Sequence, residues 1–125
     1  MLAITLCYLA AFALLVIGVL ALIAPATLSQ SYGVAVDDAK AFVYVRATGA
    51  RDCLFGLILI ASAYLGDVLQ LMIICSVGLM LSLADLLIAF FGSGRRMKPE
   101  LLAHLAGIVG FGIILVLLAE LRVAR

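Results

Sequence analysis

Four long apolar segments, separated by polar ones, account for most of the chain. The first, 2–24, is uncharged and long enough to cross the ~30 Å of hydrocarbon in a bilayer as one helix, which Pro25 ends. Two others occupy 68–91 and 99–121, with the polar turn 92–98 between them. The first segment lacks the basic start of a cleavable signal peptide, so we interpret it, like the others, as a transmembrane helix.

The remaining apolar segment crosses a bilayer only if charged residues are drawn into it. Its uncharged run, 53–65, has 13 residues, or about 20 Å of helix, which is too short. A helix that begins at Arg46 has 20 residues and a length of about 30 Å, which fits. A span over 46–65 therefore places Arg51 and Asp52 below the membrane surface.

Short connections between these four spans predict an all-α, up-and-down transmembrane bundle in a single domain, 1–125. One end of the bundle, which we name the terminal end, holds both chain termini and the Gly66–Asp67 turn. The other, the loop end, holds the segment 25–45 and the turn 92–98. In the first of these connections we expect an exit loop with a short helix capped at Asp37 or Asp38.

The distribution of basic residues predicts the orientation of the bundle. Arg122 and Arg125 lie at the terminal end, whereas the loop end holds Lys40, Arg46, Arg51, Arg95, Arg96 and Lys98. The positive-inside rule then places the loop end in the cytoplasm and both termini on the other side of the membrane. Arg95, Arg96 and Lys98 are also expected to contact anionic lipid.

Composition agrees with a membrane protein and excludes some functions. The chain is 68% hydrophobic, whereas soluble domains are roughly half apolar. A net charge of +1 argues against nucleic acid as a partner. Cys7, Cys53 and Cys75 lie in apolar stretches without a CxxC pair, so we interpret them as free core residues. No HxxxH or ExxH pattern points to a metal, and we expect no cofactor.

Four ionisable residues interrupt the predicted spans at a similar depth. At 1.5 Å per residue, Arg51, Asp52, Asp85 and His104 each lie about 7–9 Å below the loop end. Ionisable groups inside lipid are costly and face a protein interior or a wet cavity. Small residues follow the same helix faces at helical spacing, which is typical of closely packed membrane helices. We therefore expect these groups to point inward and to meet in one layer.

The chemistry of this layer suggests roles for its members. An Asp–His pair can transfer protons near neutral pH, so we expect Asp85 and His104 to be the acid–base pair, with Asp52 as a further candidate catalytic residue. Two carboxylates can share one guanidinium, because arginine forms forked hydrogen bonds. The candidate substrate-binding residues are Arg46, Arg51 and Ser82.

Three functions are compatible with this layer. A polar pocket near the cytoplasmic face could bind a lipophilic small molecule and carry out acid–base chemistry such as isomerisation or cyclisation. Alternatively, the cluster could clasp the helices of a structural or accessory subunit. A proton or ion pathway is the third, and it would require a homo-oligomer because one small bundle encloses no wide pore. A cavity beside Asp85 and His104 would favour the pocket, whereas mutual hydrogen bonds without a void would favour the clasp.

The stretch from Tyr44 to Asp52, YVRATGARD, resembles a family of small four-helix membrane proteins known as domain of unknown function 4267. That family reads roughly Tyr-x-Arg-x-Lys-Gly-x-Arg-Asp, followed one turn later by a glycine, here Gly56. An Asp near the end of the third helix and a His early in the fourth are also typical, and Asp85 and His104 match them.

The similarity extends over nearly the whole chain. Tyr32-Gly33-Val34 looks like the family's Phe-Gly-Val after the first helix. Two positions depart from the family pattern: Thr48 replaces the usual Lys, and Ala84 replaces a Gly that often precedes the third-helix Asp. The first departure removes a cation from the polar set. The resemblance implies a four-helix membrane fold and no established activity.

Overall fold

A computed structural model describes residues 1–31, 36–92, 94 and 99–124, without the side chain of Glu100. Within these residues the secondary structure is entirely helical, and its elements are α1 (Leu2–Ile23), α2 (Pro25–Ser31), α3 (Phe42–Leu65), α4 (Val68–Gly92), a 3₁₀ turn (Pro99–Leu101) and α5 (Leu102–Val123). The helices α1, α3, α4 and α5 are each long and apolar enough to cross a membrane. The all-α four-helix transmembrane bundle predicted from the sequence is confirmed.

The connection between the first two spans differs from the expected pattern. The backbone carbonyl of Asp38 accepts hydrogen bonds from the N–H groups of Ala41 at 3.0 Å and Phe42 at 3.3 Å. Asp38 therefore turns the chain directly into α3, which begins four residues before Arg46, and the short helix is α2, immediately after α1. As a result, Asp52 lies about 15 Å along α3 from its first residue, compared with about 9 Å from Arg46, where the predicted span begins.

The four spans are arranged as two closely packed pairs, α1 with α3 and α4 with α5. In the first pair, a Cβ atom added at Gly18 would lie 2.6 Å from the carbonyl oxygen of Gly49, and one added at Gly49 would lie 2.5 Å from the Cβ of Ala21. Small residues allow membrane helices to approach until their backbones nearly touch. Because backbone atoms cannot move aside, a larger side chain at Gly49 would push α1 and α3 apart.

The second pair uses glycine in the same way but packs it against side chains. A Cβ atom at Gly78 of α4 would lie 2.7 Å from the ring of Phe111, and one at Gly107 of α5 would lie 2.7 Å from the hydroxyl oxygen of Ser82. The first contact lies near the middle of α4 and α5, and the second lies closer to the loop end.

The two pairs pack against each other mainly in the half of the bundle nearest the terminal end. All four spans contribute fully buried side chains there: Cys7, Leu59, Leu71, Cys75 and Leu118. Large apolar side chains such as Leu57, Ile73 and Val116 are exposed on the outside of the bundle instead. The apolar exterior is compatible with contact with the lipid bilayer.

The turn between α3 and α4 fixes the terminal end. Gly66 ends α3 with a left-handed φ of 71°, a conformation that glycine adopts without strain. The Oδ1 atom of Asp67 accepts hydrogen bonds from the backbone N–H groups of Leu69 at 2.9 Å and Gln70 at 3.1 Å, which caps α4. The side-chain amide of Gln70 donates to the hydroxyl of Ser62 at 3.1 Å. The two helix pairs are thus joined both covalently and by hydrogen bonds at this end.

Candidate functional site

Nearer the loop end the two helix pairs separate and leave a cavity of about 830 Å³ between them. All four spans line it, mostly with apolar side chains such as Leu14, Phe55 and Leu81. Two lining residues, Leu9 and Ile88, are 60% and 71% exposed, so the cavity reaches the surface of the bundle. Its volume lies within the ~300–1,000 Å³ typical of small-molecule sites.

The guanidinium of Arg51 is the centre of a charged group on the cavity wall. Its Nε and Nη2 atoms donate to the Oδ1 atom of Asp52 at 3.1 and 3.0 Å. Its Nη1 and Nη2 atoms donate to Oδ1 and Oδ2 of Asp85 at 3.3 and 2.8 Å. All three guanidinium nitrogens are therefore engaged, with Asp85 held through both of its oxygens.

This ion pair connects the two helix pairs across the cavity. Arg51 and Asp52 lie on α3 and Asp85 lies on α4, and these two helices contact each other far less than the helices within each pair do. The side chain of Asp52 is 12% exposed, whereas those of Arg51 and Asp85 are 37% and 28% exposed. Asp52 is thus the most deeply placed charge, and the other two border the open space.

His104 of α5 reaches the same layer. The residue lines the cavity and is half-buried, with its Nε2 atom fully buried. It interacts electrostatically with Asp52, which also interacts with Asp85 in this way. Ser82 lines the cavity one helical turn from Asp85 and packs against Gly107. The structure therefore brings Asp52, Asp85 and His104 together with Arg51 and Ser82 around one cavity.

Arg46 lies apart from this group. It is exposed, it does not line the cavity, and its Nε atom donates to the backbone carbonyl of Leu22 at 3.2 Å. That bond satisfies a carbonyl in the last turn of α1, where helices leave such groups unpaired. The basic residues Arg95, Arg96 and Lys98, and the segment Tyr32-Gly33-Val34, lie outside the described residues.

The lining residues outside the sequence-predicted site include two aromatic rings and a threonine hydroxyl. Phe55 and Phe111 form an edge-to-face pair with ring centroids 6.1 Å apart, across the gap between α3 and α5. Thr48 lines the cavity, and its hydroxyl donates to the Tyr44 carbonyl at 3.1 Å. Thr48 and Phe55 lie three residues before and four after Arg51, so helical spacing alone could have indicated them.

The described part of the chain contains no group of three or more His, Cys, Asp or Glu side chains that could hold a metal ion. The polar chemistry available at the cavity is therefore that of one guanidinium, two carboxylates, one imidazole and the hydroxyls of Ser29, Tyr44, Thr48 and Ser82. Together they can compensate charge, donate or accept hydrogen bonds, and move a proton.

A family model described as "Domain of unknown function (DUF4267)" matches residues 11–118. The match includes every residue of the charged group. No curated protein and no solved structure matches the chain. The comparisons therefore identify a family, and the description of that family names no activity.

The ion pair predicts energetic coupling between Arg51 and Asp85. We expect the Arg51→Gln/Asp85→Asn double variant to lose about 1–3 kcal/mol less unfolding free energy than the sum of the two single losses, because Arg51→Gln leaves Asp85 without its cation and Asp85→Asn leaves Arg51 with Asp52 as its remaining ion-pair partner among the described residues. The measurement is a double-mutant cycle from denaturant or thermal unfolding in detergent.

The matched control for this cycle is Arg51→Gln combined with Asp37→Asn. Asp37 is an exposed aspartate that does not line the cavity, so this combination is expected to be additive to within about 0.5 kcal/mol. Additive losses in the Arg51–Asp85 cycle itself would show that the ion pair contributes no stability.

Proposed function

The chain belongs to the DUF4267 family, and we propose that it binds a lipophilic small molecule in the cavity between its two helix pairs. The observation that carries the proposal is that Arg51, Asp52, Asp85 and His104 line an apolar cavity of about 830 Å³. The apolar walls would receive the body of the ligand. The charged group would receive its polar head.

The void itself supports binding over a purely structural role. Protein interiors are packed at close to crystalline density, and a cavity beside partly buried charges forfeits packing contacts. Ionisable groups within a span are costly and commonly mark substrate or ion sites. The cost of both features is explained if a ligand occupies the space. The exposed lining residues Leu9 and Ile88 would give such a ligand access from the lipid.

We further propose that the site carries out acid–base chemistry, with His104 and Asp52 as the proton-transferring pair. Both side chains line the cavity, which supports this pairing. Asp85 is engaged by Arg51 through both oxygens, which fits a carboxylate that orients the guanidinium. Ser82 would position the substrate, and Arg51 would hold the two carboxylates in place. A reaction that moves a proton within an apolar substrate, such as an isomerisation or a cyclisation, requires only these groups.

A second candidate function is that of a clasp in a structural or accessory membrane subunit. The forked contact between Arg51 and Asp85 favours it, because this contact joins α3 to α4 where the two helices otherwise contact each other little. A clasp alone would leave the cavity without a ligand. Binding measurements therefore separate the two candidates.

For orientation, we propose that the loop end faces the cytoplasm and both termini face the opposite side. Among the described residues, Lys40, Arg46 and Arg51 lie at or near the loop end and Arg122 lies at the terminal end. This asymmetry follows the positive-inside rule. The proposed site would then lie near the cytoplasmic face.

Filling the cavity is expected to abolish binding. Gly110 lines the cavity, and a Cβ atom added there would meet no atom within 4 Å, so a leucine side chain would enter open space. We expect Gly110→Leu to lower the affinity for triphenylmethanol, an uncharged lipophilic probe with a hydroxyl head, by at least about tenfold. The measurement is equilibrium dialysis against the full chain in phosphatidylcholine nanodiscs.

The matched control is Gly112→Leu on the same helix. A Cβ atom at Gly112 also meets nothing within 4 Å, but this residue does not line the cavity. The two variants therefore differ in where the added side chain lies and in little else. Equal binding to Gly110→Leu and Gly112→Leu would exclude the cavity as the binding site.

Removing the acid–base groups is expected to abolish proton transfer while leaving the fold intact. The probe is a lipophilic β,γ-unsaturated ketone, whose conversion to the conjugated isomer is followed by ultraviolet absorbance. We expect Asp52→Asn and His104→Gln to slow the protein-dependent rate by about 10²-fold or more. Asp37→Asn serves as the control for the change from carboxylate to amide. Isomerisation at the wild-type rate in both variants would refute the assignment.

The orientation predicts the behaviour of reporters fused to the C-terminus in bacteria. Alkaline phosphatase folds only outside the cytoplasm, so we expect an active fusion. Green fluorescent protein exported in the same way does not become fluorescent, and this reciprocal fusion is the control. A fluorescent fusion together with an inactive phosphatase fusion would place the termini in the cytoplasm instead.

A further inference from the structure

We propose that the ligand of this cavity carries a positively charged head, so that it is a lipophilic ammonium or similar cation and not a fatty acid or another lipophilic anion. This inference rests on the proposed function, which places a lipophilic ligand in the cavity. It adds the sign of the ligand's charge, and it follows from the hydrogen bonds and charges of the cavity wall.

Arg51 uses most of its hydrogen-bond donors on the two aspartates. A guanidinium is the usual partner of a carboxylate or phosphate, which it binds through two parallel N–H groups. Here Nε and Nη2 are bonded to Asp52, and Nη1 and Nη2 are bonded to Asp85. These four bonds use four of the five N–H groups, so an anionic head could form two parallel bonds only by displacing one of the two aspartates. The arginine is therefore poorly placed to recognise it.

The charged side chains on the cavity wall do not sum to a positive charge. Among the described residues that line the cavity, those that can carry a charge near neutral pH are Arg51, Asp52, Asp85 and His104. With both carboxylates ionised, this group has a net charge of −1 when the imidazole is neutral and 0 when it is protonated. A negative charge that no cation balances is costly beside apolar walls. A cationic ligand would remove that cost, whereas an anionic ligand would increase it.

The cavity wall also offers hydrogen-bond acceptors to a cationic head group. Both bonds from Arg51 to Asp52 end on Oδ1, so the guanidinium does not contact the second oxygen of this carboxylate. The side chain of Asp85 is 28% exposed at the cavity wall. The hydroxyl of Ser82 is one turn away on α4. An ammonium has donors and no acceptors, and this set consists of acceptors and one hydroxyl.

Two aromatic residues line the cavity next to the charged group. Phe55 lies one turn beyond Arg51 toward the terminal end and forms an edge-to-face pair with Phe111. Both rings line the cavity directly beyond the charged layer. Aromatic faces attract cations and accept apolar groups, and they offer nothing to an anion. A cationic head beside Asp52 and Asp85 would therefore place its apolar substituents on these rings.

The test compares two lipophilic ions of nearly equal size and shape but opposite permanent charge, tetraphenylphosphonium and tetraphenylborate. Binding to the full chain is measured by equilibrium dialysis in phosphatidylcholine nanodiscs. Binding in the cavity is the binding that Gly112→Leu retains and Gly110→Leu loses. We expect the affinity of this binding to be at least about tenfold higher for the phosphonium than for the borate.

Two variants change the charge of the wall by one unit in different ways. Asp85→Asn removes a carboxylate, and Thr48→Lys adds a cation to the wall while every bond of Arg51 remains. We expect each to lower the phosphonium affinity by about tenfold, and Thr48→Lys to strengthen borate binding. Asp37→Asn is the control and is expected to change neither affinity. If Asp85→Asn does not fold, Thr48→Lys still tests the inference.

Tighter binding of the borate, equal binding of both ions, or an unchanged preference in the folded charge variants would overturn the inference. If triphenylmethanol binds in the cavity in any of these cases, the proposed function stands and only the sign of the ligand's charge is wrong. If none of the three probes distinguishes Gly110→Leu from Gly112→Leu, the proposed function is wrong as well.

Discussion

The half of the bundle nearest the loop end depends on one constraint, which is that two carboxylates balance the positive charge of one guanidinium. Arg51 lies within a transmembrane helix, where an unpaired charge is costly. Its neighbour Asp52 satisfies it from the same helix, and Asp85 satisfies it from α4. Because the second partner belongs to the other helix pair, the charges determine how far apart the two pairs can lie. The cavity is the space that this spacing leaves.

The two halves of the bundle are held together by different interactions. Near the terminal end, fully buried apolar side chains such as Leu59 and Leu118 pack the pairs against each other, and the Gly66–Asp67 turn joins them. Near the loop end, close packing is confined to each pair, through contacts such as that of Gly18 with Gly49. Packing thus provides a rigid base, and the ion pair bridges an opening above it. The proposed ligand site would be preorganised, because its side chains lie on helices, which position side chains more precisely than loops do.

Much of the fold could be predicted because hydropathy and helix length are local properties. The four spans follow from apolar runs, and the short uncharged run after Asp52 already places Arg51 and Asp52 below the surface. The start of α3 could not be predicted in this way, because it depends on hydrogen bonds that the Asp38 carbonyl accepts. Arg46 was likewise predicted to belong to the candidate site because of its charge. In the structure its side chain instead donates a hydrogen bond to the backbone carbonyl of Leu22 on α1.

The sequence by itself determined which residues must lie at membrane depth and which of them carry charge, because both follow from composition and from the rise of a helix. Only the tertiary structure decided their partners. Arg51 meets Asp85 and its neighbour Asp52 because glycine contacts set which helices pair and how each is rotated, and such contacts join residues far apart along the chain. The cavity belongs to the tertiary structure alone, since a void exists only between helices that are already in place.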